Sequence, residues 1–197
     1  MRTIALSFVL LMAAHFALAA PVPKAIKAVP DYYPSVVGTK WVYAHEDGTN
    51  EHTREVTTSQ EKDGVTTFTV TWKEDGSTQM WELKKDATGV FRTKQDGIEF
   101  TPPHQLLQPK MEAGDEWKSE YSFGEGSTLF KYTRTVGKAE VVKTPAGEFT
   151  AVPIVSRNQR AKGDETTLWY ADGVGLVALQ HKDSPKVVLR EWTPGKK

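Results

Sequence analysis

One stretch of the chain matches a cofactor-binding pattern. Residues 173–178, GVGLVA, fit the relaxed dinucleotide fingerprint G-x-G-x-x-[GA]. That fingerprint requires a helix that begins at the glycines, so that its N-terminus faces the pyrophosphate. The residues that follow here alternate like a strand and reach Pro185 within ten positions. We therefore interpret Gly173 and Gly175 as structural turn residues and predict no cofactor.

A second group combines histidines and acids on the two flanks of one predicted hairpin. His45, Glu46 and Asp47 precede the turn, and Glu51 and His52 follow it. Cross-strand neighbours could bring the two histidines together as metal ligands. Such a group more often forms a solvated turn, so we predict no metal site.

Hydrolytic chemistry has weaker support. The sequence contains no G-x-S-x-G nucleophile elbow, and Ser122, Ser127 and Ser156 have no histidine nearby in the sequence. A carboxylate pair for glycoside hydrolysis remains open, because Asp and Glu are abundant and their separation in space is not visible in a sequence. No catalytic residue is predicted.

Composition narrows the function further. The 197 residues contain 25 Lys and Arg against 25 Asp and Glu, so no charge excess favours nucleic acid as a partner. The chain has no cysteine, which excludes disulfides, thiolate nucleophiles and Cys-ligated metals.

The N-terminus resembles an export signal. Residues 1–19 contain Arg2, an apolar run at 4–14, and small residues at Ala17 and Ala19, as a signal peptidase requires. We predict cleavage between Ala19 and Ala20, and a periplasmic or extracellular mature protein. No later segment is long and apolar enough to span a membrane.

The mature chain has the pattern of one β domain. Residues 20–35 form a proline-rich, extended leader, and residues 36–194 form a single domain. Apolar and polar residues alternate with period two between turn signals, which predicts strands rather than helices. The predicted strands are 40–44, 51–59, 65–73, 78–84, 90–94, 98–101, 118–123, 129–136, 139–143, 149–156, 167–171, 174–179 and 186–192. The predicted fold class is all-β: a strongly curved antiparallel sheet or half-open barrel of about eleven to thirteen strands.

Three details of this fold are specific expectations. Asp-Gly pairs mark hairpin turns, and Gly147 should take a positive φ after Pro145 and Ala146. Residues 102–117 should form a crossing loop, and Pro153 should put its strand at an edge or in a bulge. The polar strand 51–59 should lie at an edge or face solvent.

Aromatic residues are the most suggestive feature of the domain. Most of them are expected in the core, but on a curved sheet they could also line a concave face that holds an acyl chain or a sugar ring. The ligand-lining candidates are Trp41, Tyr43, Phe68, Trp72, Trp81, Trp169 and Tyr170.

Three blocks of the sequence carry a family resemblance. They are G-x-x-W-x-Y at 38–43, P-A-G-x-F-x-A at 145–151 and W-Y-A-x-G-V-G-L-V at 169–177. Their combination resembles a group of exported, mostly uncharacterised bacterial proteins. The fold this implies is similar to the open antiparallel barrels of the lipoprotein-carrier (LolA-like) superfamily, in which a curved sheet can hold lipid acyl chains.

The leading hypothesis is a non-enzymatic envelope protein that binds an apolar or amphipathic ligand, or a partner protein, on its concave face. Its expected partners are a lipid or an envelope protein. Two alternatives stay open: an envelope glycan hydrolase with a carboxylate pair, and a purely structural or assembly module with a filled interior.

Overall fold

The computed structural model describes residues 29–161 and 163–196. The predicted signal peptide and the first part of the leader, residues 20–28, lie outside this range. The described residues form thirteen strands joined by turns and loops, without a helix. The strands are β1 (Lys40–His45), β2 (His52–Lys62), β3 (Val65–Glu74), β4 (Ser77–Asp86), β5 (Gly89–Gln95), β6 (Ile98–Leu107), β7 (Glu116–Phe123), β8 (Phe130–Val136), β9 (Glu140–Thr144), β10 (Gly147–Asn158), β11 (Glu165–Ala171), β12 (Gly175–His181) and β13 (Val187–Thr193).

The strands form one antiparallel sheet that closes on itself. Its order is β11-β12-β13-β1-β2-β3-β4-β5-β6-β7-β8-β10, and β10 also pairs with β11, from Ala151↔Ala171 to Arg157↔Glu165. Twelve strands therefore form a barrel, and β9 adds to one end of β10. The predicted fold class and strand number are confirmed, and the sheet is closed rather than half open.

The hairpin turns follow the chemistry predicted from the Asp-Gly pairs. In three of the five pairs both residues have positive φ, as a type I′ turn requires. In the other two pairs only the glycine does. The three pairs are Asp63-Gly64, Asp75-Gly76 and Asp96-Gly97. Gly147 also has a positive φ, of 136°, as expected.

Residues 102–117 were predicted to form a crossing loop, and this was wrong for residues 102–107, which belong to β6. β6 continues to Leu107 through Pro102 and Pro103. The ladder to β5 pairs Glu99 with Lys94 and resumes at His104 with Arg92, which leaves residues 100–103 without a β5 partner. The prolines are tolerated because their missing N–H groups fall in this bulge.

Pro153 lies in a strand that has neighbours on both sides, so its predicted place at an edge of the sheet was wrong, but the ladder is interrupted beside it. Along β10, the ladder to β9 stops at Ala151 and the ladder to β8 starts at Ile154, which leaves a gap beside Pro153. The Pro153 carbonyl accepts a hydrogen bond from Gly137 N in this gap, at 2.8 Å. The missing donor of Pro153 faces the same gap, because the N and O of one antiparallel residue point to the same side.

The hairpin of β9 and the start of β10 covers part of the outer barrel surface. Ala146 N donates to Leu189 O of β13, and Trp169 Nε1 donates to Glu140 at the start of β9. Val177 and Val188, which point outward, are fully buried beneath it. The domain therefore has a second, smaller apolar layer outside the barrel.

The end of the leader closes one end of the barrel. Asp31 bonds to the β11–β12 turn, and Lys85 Nζ on β4 contacts the Asp31 carboxylate and Tyr33 O, each at 3.1 Å. The Tyr33 ring packs on Phe68 at a centroid distance of 5.7 Å. This segment forms the floor of the interior.

Two side chains of β1 complete the backbone bonding of the β12 region. β12 pairs with β13 only at Ala178 and Leu179, so the carbonyls that precede this ladder need other donors. Trp41 Nε1 donates to Val174 O at 2.7 Å, and Tyr43 Oη donates to Leu176 O at 2.8 Å. Two of the three family-like sequence blocks are thus in direct contact.

Replacing Gly175 with Ala should destabilise the fold more than replacing Gly173. Both glycines have positive φ, of 95° and 72°, which costs a side-chain-bearing residue about 1–2 kcal/mol. A Cβ at Gly175 would also meet Pro34 Cδ at 3.3 Å, whereas one at Gly173 meets nothing within 4 Å. Urea unfolding of both variants measures the difference, and equal losses would contradict the packing argument.

Candidate functional site

The barrel encloses a cavity of about 340 Å³. This volume lies at the lower end of the range of about 300–1,000 Å³ that is typical of small-molecule sites. Its floor is formed by Tyr33, Trp41 and Tyr170, and its solvent-facing end includes Gln79, Thr166 and the exposed His181. The remaining lining residues are Tyr43, Arg54, Trp72, Trp81, Arg92, Gln95, His104, Leu106, Arg134, Leu168, Gly175, Leu176 and Leu179.

Strand β2 shows how the sheet places polar groups inside. Because side chains alternate across a strand, His52, Arg54 and Val56 share the inner face. Val56 is fully buried and His52 is 6% exposed. β2 pairs with β1 and β3, so it is not an edge strand. The alternative expectation, that this polar segment faces solvent, holds in its second half, where residues 57–59 are exposed.

A bulge in β12 determines which of its side chains face the cavity. Tyr170 pairs with Leu176 and Leu168 with Leu179, so two residues of β12 lie opposite Trp169. Leu176 and Leu179 therefore both face the cavity, although simple alternation predicts opposite faces for them.

Five of the seven predicted ligand-lining residues line this cavity. They are Trp41, Tyr43, Trp72, Trp81 and Tyr170. Phe68 is buried beneath them against Tyr33, and Trp169 lies on the outer surface with Lys186 Nζ 4.6 Å from its ring centroid. Contact of the five with a ligand stays a prediction.

Arg54 projects into the cavity without a polar partner. Its Cζ atom lies 5.0, 4.9 and 5.0 Å from the ring centroids of Tyr43, Trp72 and Trp81. Within the described part of the chain it makes no hydrogen bond or ion pair, and its Nε is buried and unpaired. Cation–π contacts alone hold this guanidinium.

Arg92 lies over Trp81, one of the two tryptophans that Arg54 contacts. Its Cζ is 4.0 Å from the Trp81 centroid, and its Nη1 donates a long bond of 3.3 Å to Gln95 Oε1. Burial lowers the pKa of Arg92, although a guanidinium stays charged in proteins. Its Nε is also buried without a partner.

Arg134 is the most deeply buried of the three arginines, at 6% exposure. Its Nη1 donates to Ser119 Oγ at 2.7 Å and to Gln105 O at 3.0 Å, and its Nη2 donates to His104 Nε2 at 2.6 Å. His104 must accept this bond, so it is neutral and carries its proton on Nδ1. That Nδ1 is buried and unpaired.

The neighbouring titratable groups are held neutral. Burial, and then Arg134 and Arg92, lower the pKa of His104 to about 2. Burial and Arg54 lower the pKa of His52 to about 4. Burial raises the pKa of Tyr170 to about 12 and raises those of Tyr33 and Tyr43. None of these side chains supplies a negative charge at neutral pH.

Among the residues that the structure describes, no carboxylate lines the cavity. Asp47 and Asp86 have lowered carboxyl pKa values, owing to hydrogen bonds from Thr49 and Lys84 respectively. The cavity therefore lacks the acid pair, with one raised pKa, that glycan hydrolysis requires.

The two histidines considered as metal ligands have different surroundings. His45 Nδ1 contacts Thr49 and Asn50 in the turn, whereas His52 stacks between Tyr43 and Trp72 in the interior. Among the described residues, no three His, Asp or Glu side chains converge as a metal-binding group.

The sequence interpretation missed the three arginines. A signal for them existed, because Arg54 and Arg134 each occupy the apolar phase of an alternating strand. Arg54 stands between His52 and Val56, and Arg134 precedes Val136 by two. Arg92 could not be assigned this way, because register shifts on both of its ladders break the alternation of β5.

A larger groove of about 960 Å³ lies outside the floor of the barrel, between the leader and the start of β5. It begins at Val29, the first described residue. None of its described lining residues has a buried, unpaired side-chain polar atom, in contrast to the interior cavity.

Solved structures with a similar fold include two bacterial proteins. One, described as a lipoprotein from Parabacteroides distasonis, has a TM-score of 0.55 and 15% identity, and the match covers 85% of this chain and 100% of that one. The other, described as an exported protein with a YmcC-like fold from Bacteroides fragilis, has a TM-score of 0.50 and 16% identity, with coverage of 83% and 99%. No protein-family model and no curated protein matches the chain.

At these identities the comparisons establish the fold and not a function. Neither structure is described as a lipoprotein carrier, so the resemblance to that superfamily stays a prediction. Within the part of the chain that the structure covers, no helix has the length and apolarity of a membrane span.

The two buried histidines should make stability depend on pH in a characteristic way. Unfolded histidine takes up a proton near pH 6.5, but folded His104 does so only near pH 2, so acidification favours unfolding. Below about pH 6, the free energy of unfolding should fall by about 1.4 kcal/mol per pH unit more in the wild type than in His104→Gln. Urea titrations at several pH values test this.

His52→Gln provides the comparison. Its difference from the wild type should grow in the same direction but level off near pH 4, where folded His52 is itself protonated. A constant difference between wild type and His104→Gln from pH 7 to pH 4 would contradict a neutral, buried His104.

Proposed function

We propose that this protein is an exported, non-enzymatic binding protein that holds a small amphipathic ligand inside its barrel. The observation that carries the proposal is the interior cavity, which combines six tyrosine and tryptophan side chains with unpaired polar groups. A structural module would instead be expected to fill its interior with packed side chains.

The lining matches the general character of ligand pockets. Aromatic and aliphatic side chains supply most of the contact surface, and a few polar groups supply orientation and specificity. Here Trp41 and Tyr43 already donate their side-chain hydrogens to the carbonyls of Val174 and Leu176, so they offer a ligand mainly apolar surface. Trp72 and Trp81 keep buried, unpaired Nε1 donors.

Rigidity also supports binding rather than catalysis. The lining residues belong almost entirely to strands of a closed sheet, and each of these strands has a neighbour on both sides. Such a wall is pre-organised, which reduces the ordering cost of binding.

Export is the second element of the proposal. It rests on the signal-like pattern of residues 1–19, and it agrees with the descriptions of the two similar structures. The mature protein would act in the periplasm or outside the cell, on a lipid or another envelope component.

Filling the cavity should abolish ligand binding without unfolding the barrel. Leu168→Trp adds bulk to the lining, whereas Thr167→Trp places the same new side chain on the opposite face of β11. Native mass spectrometry of protein purified from its own envelope should show one small-molecule adduct in the wild type and in Thr167→Trp, and none in Leu168→Trp. Absence of an adduct from wild type, or its retention in Leu168→Trp, would contradict the proposal.

Processing can be tested separately. The mature protein should begin at Ala20 and be recovered outside the cytoplasm, because Ala17 and Ala19 present the small side chains that signal peptidase selects. Ala19→Leu should accumulate as the longer precursor, with Leu18→Ala as the control that is still processed. Intact-mass analysis measures both, and a mature wild type that still starts at Met1 would contradict export by cleavage.

A further inference from the structure

The cavity contains an excess of positive charge. Three guanidinium groups line it, those of Arg54, Arg92 and Arg134, and no Asp or Glu side chain within residues 29–161 and 163–196 does. None of the three takes part in the ion pairs of the described residues. Arg134 is buried, and Arg54 and Arg92 are half-buried with fully buried Nε atoms. Such a cluster without a counter-ion is unusual, because burial of a charge is unfavourable unless it is paired.

The three cations lie close to one another. Arg54 and Arg92 both contact Trp81, with Cζ atoms 5.0 and 4.0 Å from its centroid. Both Arg92 and Arg134 lower the pKa of His104, and Arg134 bonds to that ring directly. One small anion in the cavity can therefore be attracted electrostatically by all three guanidinium groups.

The polar groups around them cannot replace a counter-ion. Tyr43 donates its hydroxyl hydrogen to Leu176 O, and Arg134 keeps His104 neutral. Ser119 and the Gln105 carbonyl accept from Arg134 but carry no charge. The cation–π contacts of Arg54 and Arg92 stabilise them only in part.

Donor hydrogens are also in excess. Arg54 Nε, Arg92 Nε and His104 Nδ1 are buried without an acceptor, as are Nε1 of Trp72 and Trp81. An oxyanion supplies several acceptor lone pairs in one place, and guanidinium forks match the geometry of carboxylate and phosphate.

We infer that the cavity binds an oxyanion, the carboxylate or phosphate of an amphiphile, between Arg54, Arg92 and Arg134, with the apolar body of the ligand against the aromatic wall. This inference rests on the proposed binding function and names the chemical class of its ligand. Carboxylate and phosphate share the required chemistry, and the probes below distinguish them.

Isothermal titration calorimetry of the mature protein can separate the contribution of the head-group charge to binding affinity from that of the apolar chain. Octanoate, octyl phosphate and 1-octanol carry the same eight-carbon chain with different head groups. At least one of the two anions should bind about tenfold tighter than 1-octanol, and the tighter one identifies the head group. Equal affinity for all three would overturn the anion inference while leaving the binding function intact, and failure of all three to bind would contradict both.

Arg54→Met tests the residue that has no polar partner. It should weaken binding of the preferred anion by about tenfold or more and change 1-octanol affinity by less than about twofold. The ligand-free unfolding midpoint should be equal or higher, because the substitution removes an unpaired, half-buried charge. The matched control, Arg157→Met, removes the same charge from an exposed ion pair with Glu165 and should leave anion binding unchanged.

Arg92→Met provides an independent variant of the same layer and should weaken the anion in the same way, so the inference does not depend on the folding of one variant. Anion affinity that is unchanged in both Arg54→Met and Arg92→Met, or that falls equally in Arg157→Met, would overturn it.

Discussion

Pairing of β10 with β11 closes the sheet, and the properties of the interior depend on this closure. A closed sheet has no free edges, so its inner face is separated from solvent except at the two ends. The leader covers one end through Asp31 and Tyr33, and the other end remains open beside His181. The result is a pocket with one entrance, formed by side chains that a flat sheet would leave on an exposed face.

The interior is electrostatically unbalanced, and the imbalance has a structural cost that packing must offset. Arg134 is well satisfied by Ser119, Gln105 and His104, whereas Arg54 rests on aromatic faces alone. Departures from good packing and polar pairing tend to concentrate at functional sites. In this barrel five of the eight buried, unpaired side-chain polar atoms of the described residues belong to residues that line the cavity.

The family-like sequence blocks have structural roles. Gly175 is required where the backbone passes Pro34 and Trp41, and Trp41 and Tyr43 supply donors to carbonyls that β13 leaves unpaired. The remaining block, at 145–151, forms the turn and the start of β10 that cover part of the outer face of the barrel. These residues build the container, and the arginines that give it a chemical character lie in none of the three blocks.

From the sequence alone, period-two alternation and Asp-Gly turns determined the fold class, the number of strands and most strand positions, because both signals are local. They also indicated five aromatic residues that line the cavity. Closure of the sheet, the bulge that turns both Leu176 and Leu179 inward, and the meeting of Arg54, Arg92 and Arg134 were decided only by the tertiary structure. The physical reason is that the closed ring also needs β1 to pair with β13, the first strand with the last, and that the three arginines come from strands distant in sequence. The bulge is a register shift within one hairpin, and a single register shift changes which face a side chain occupies.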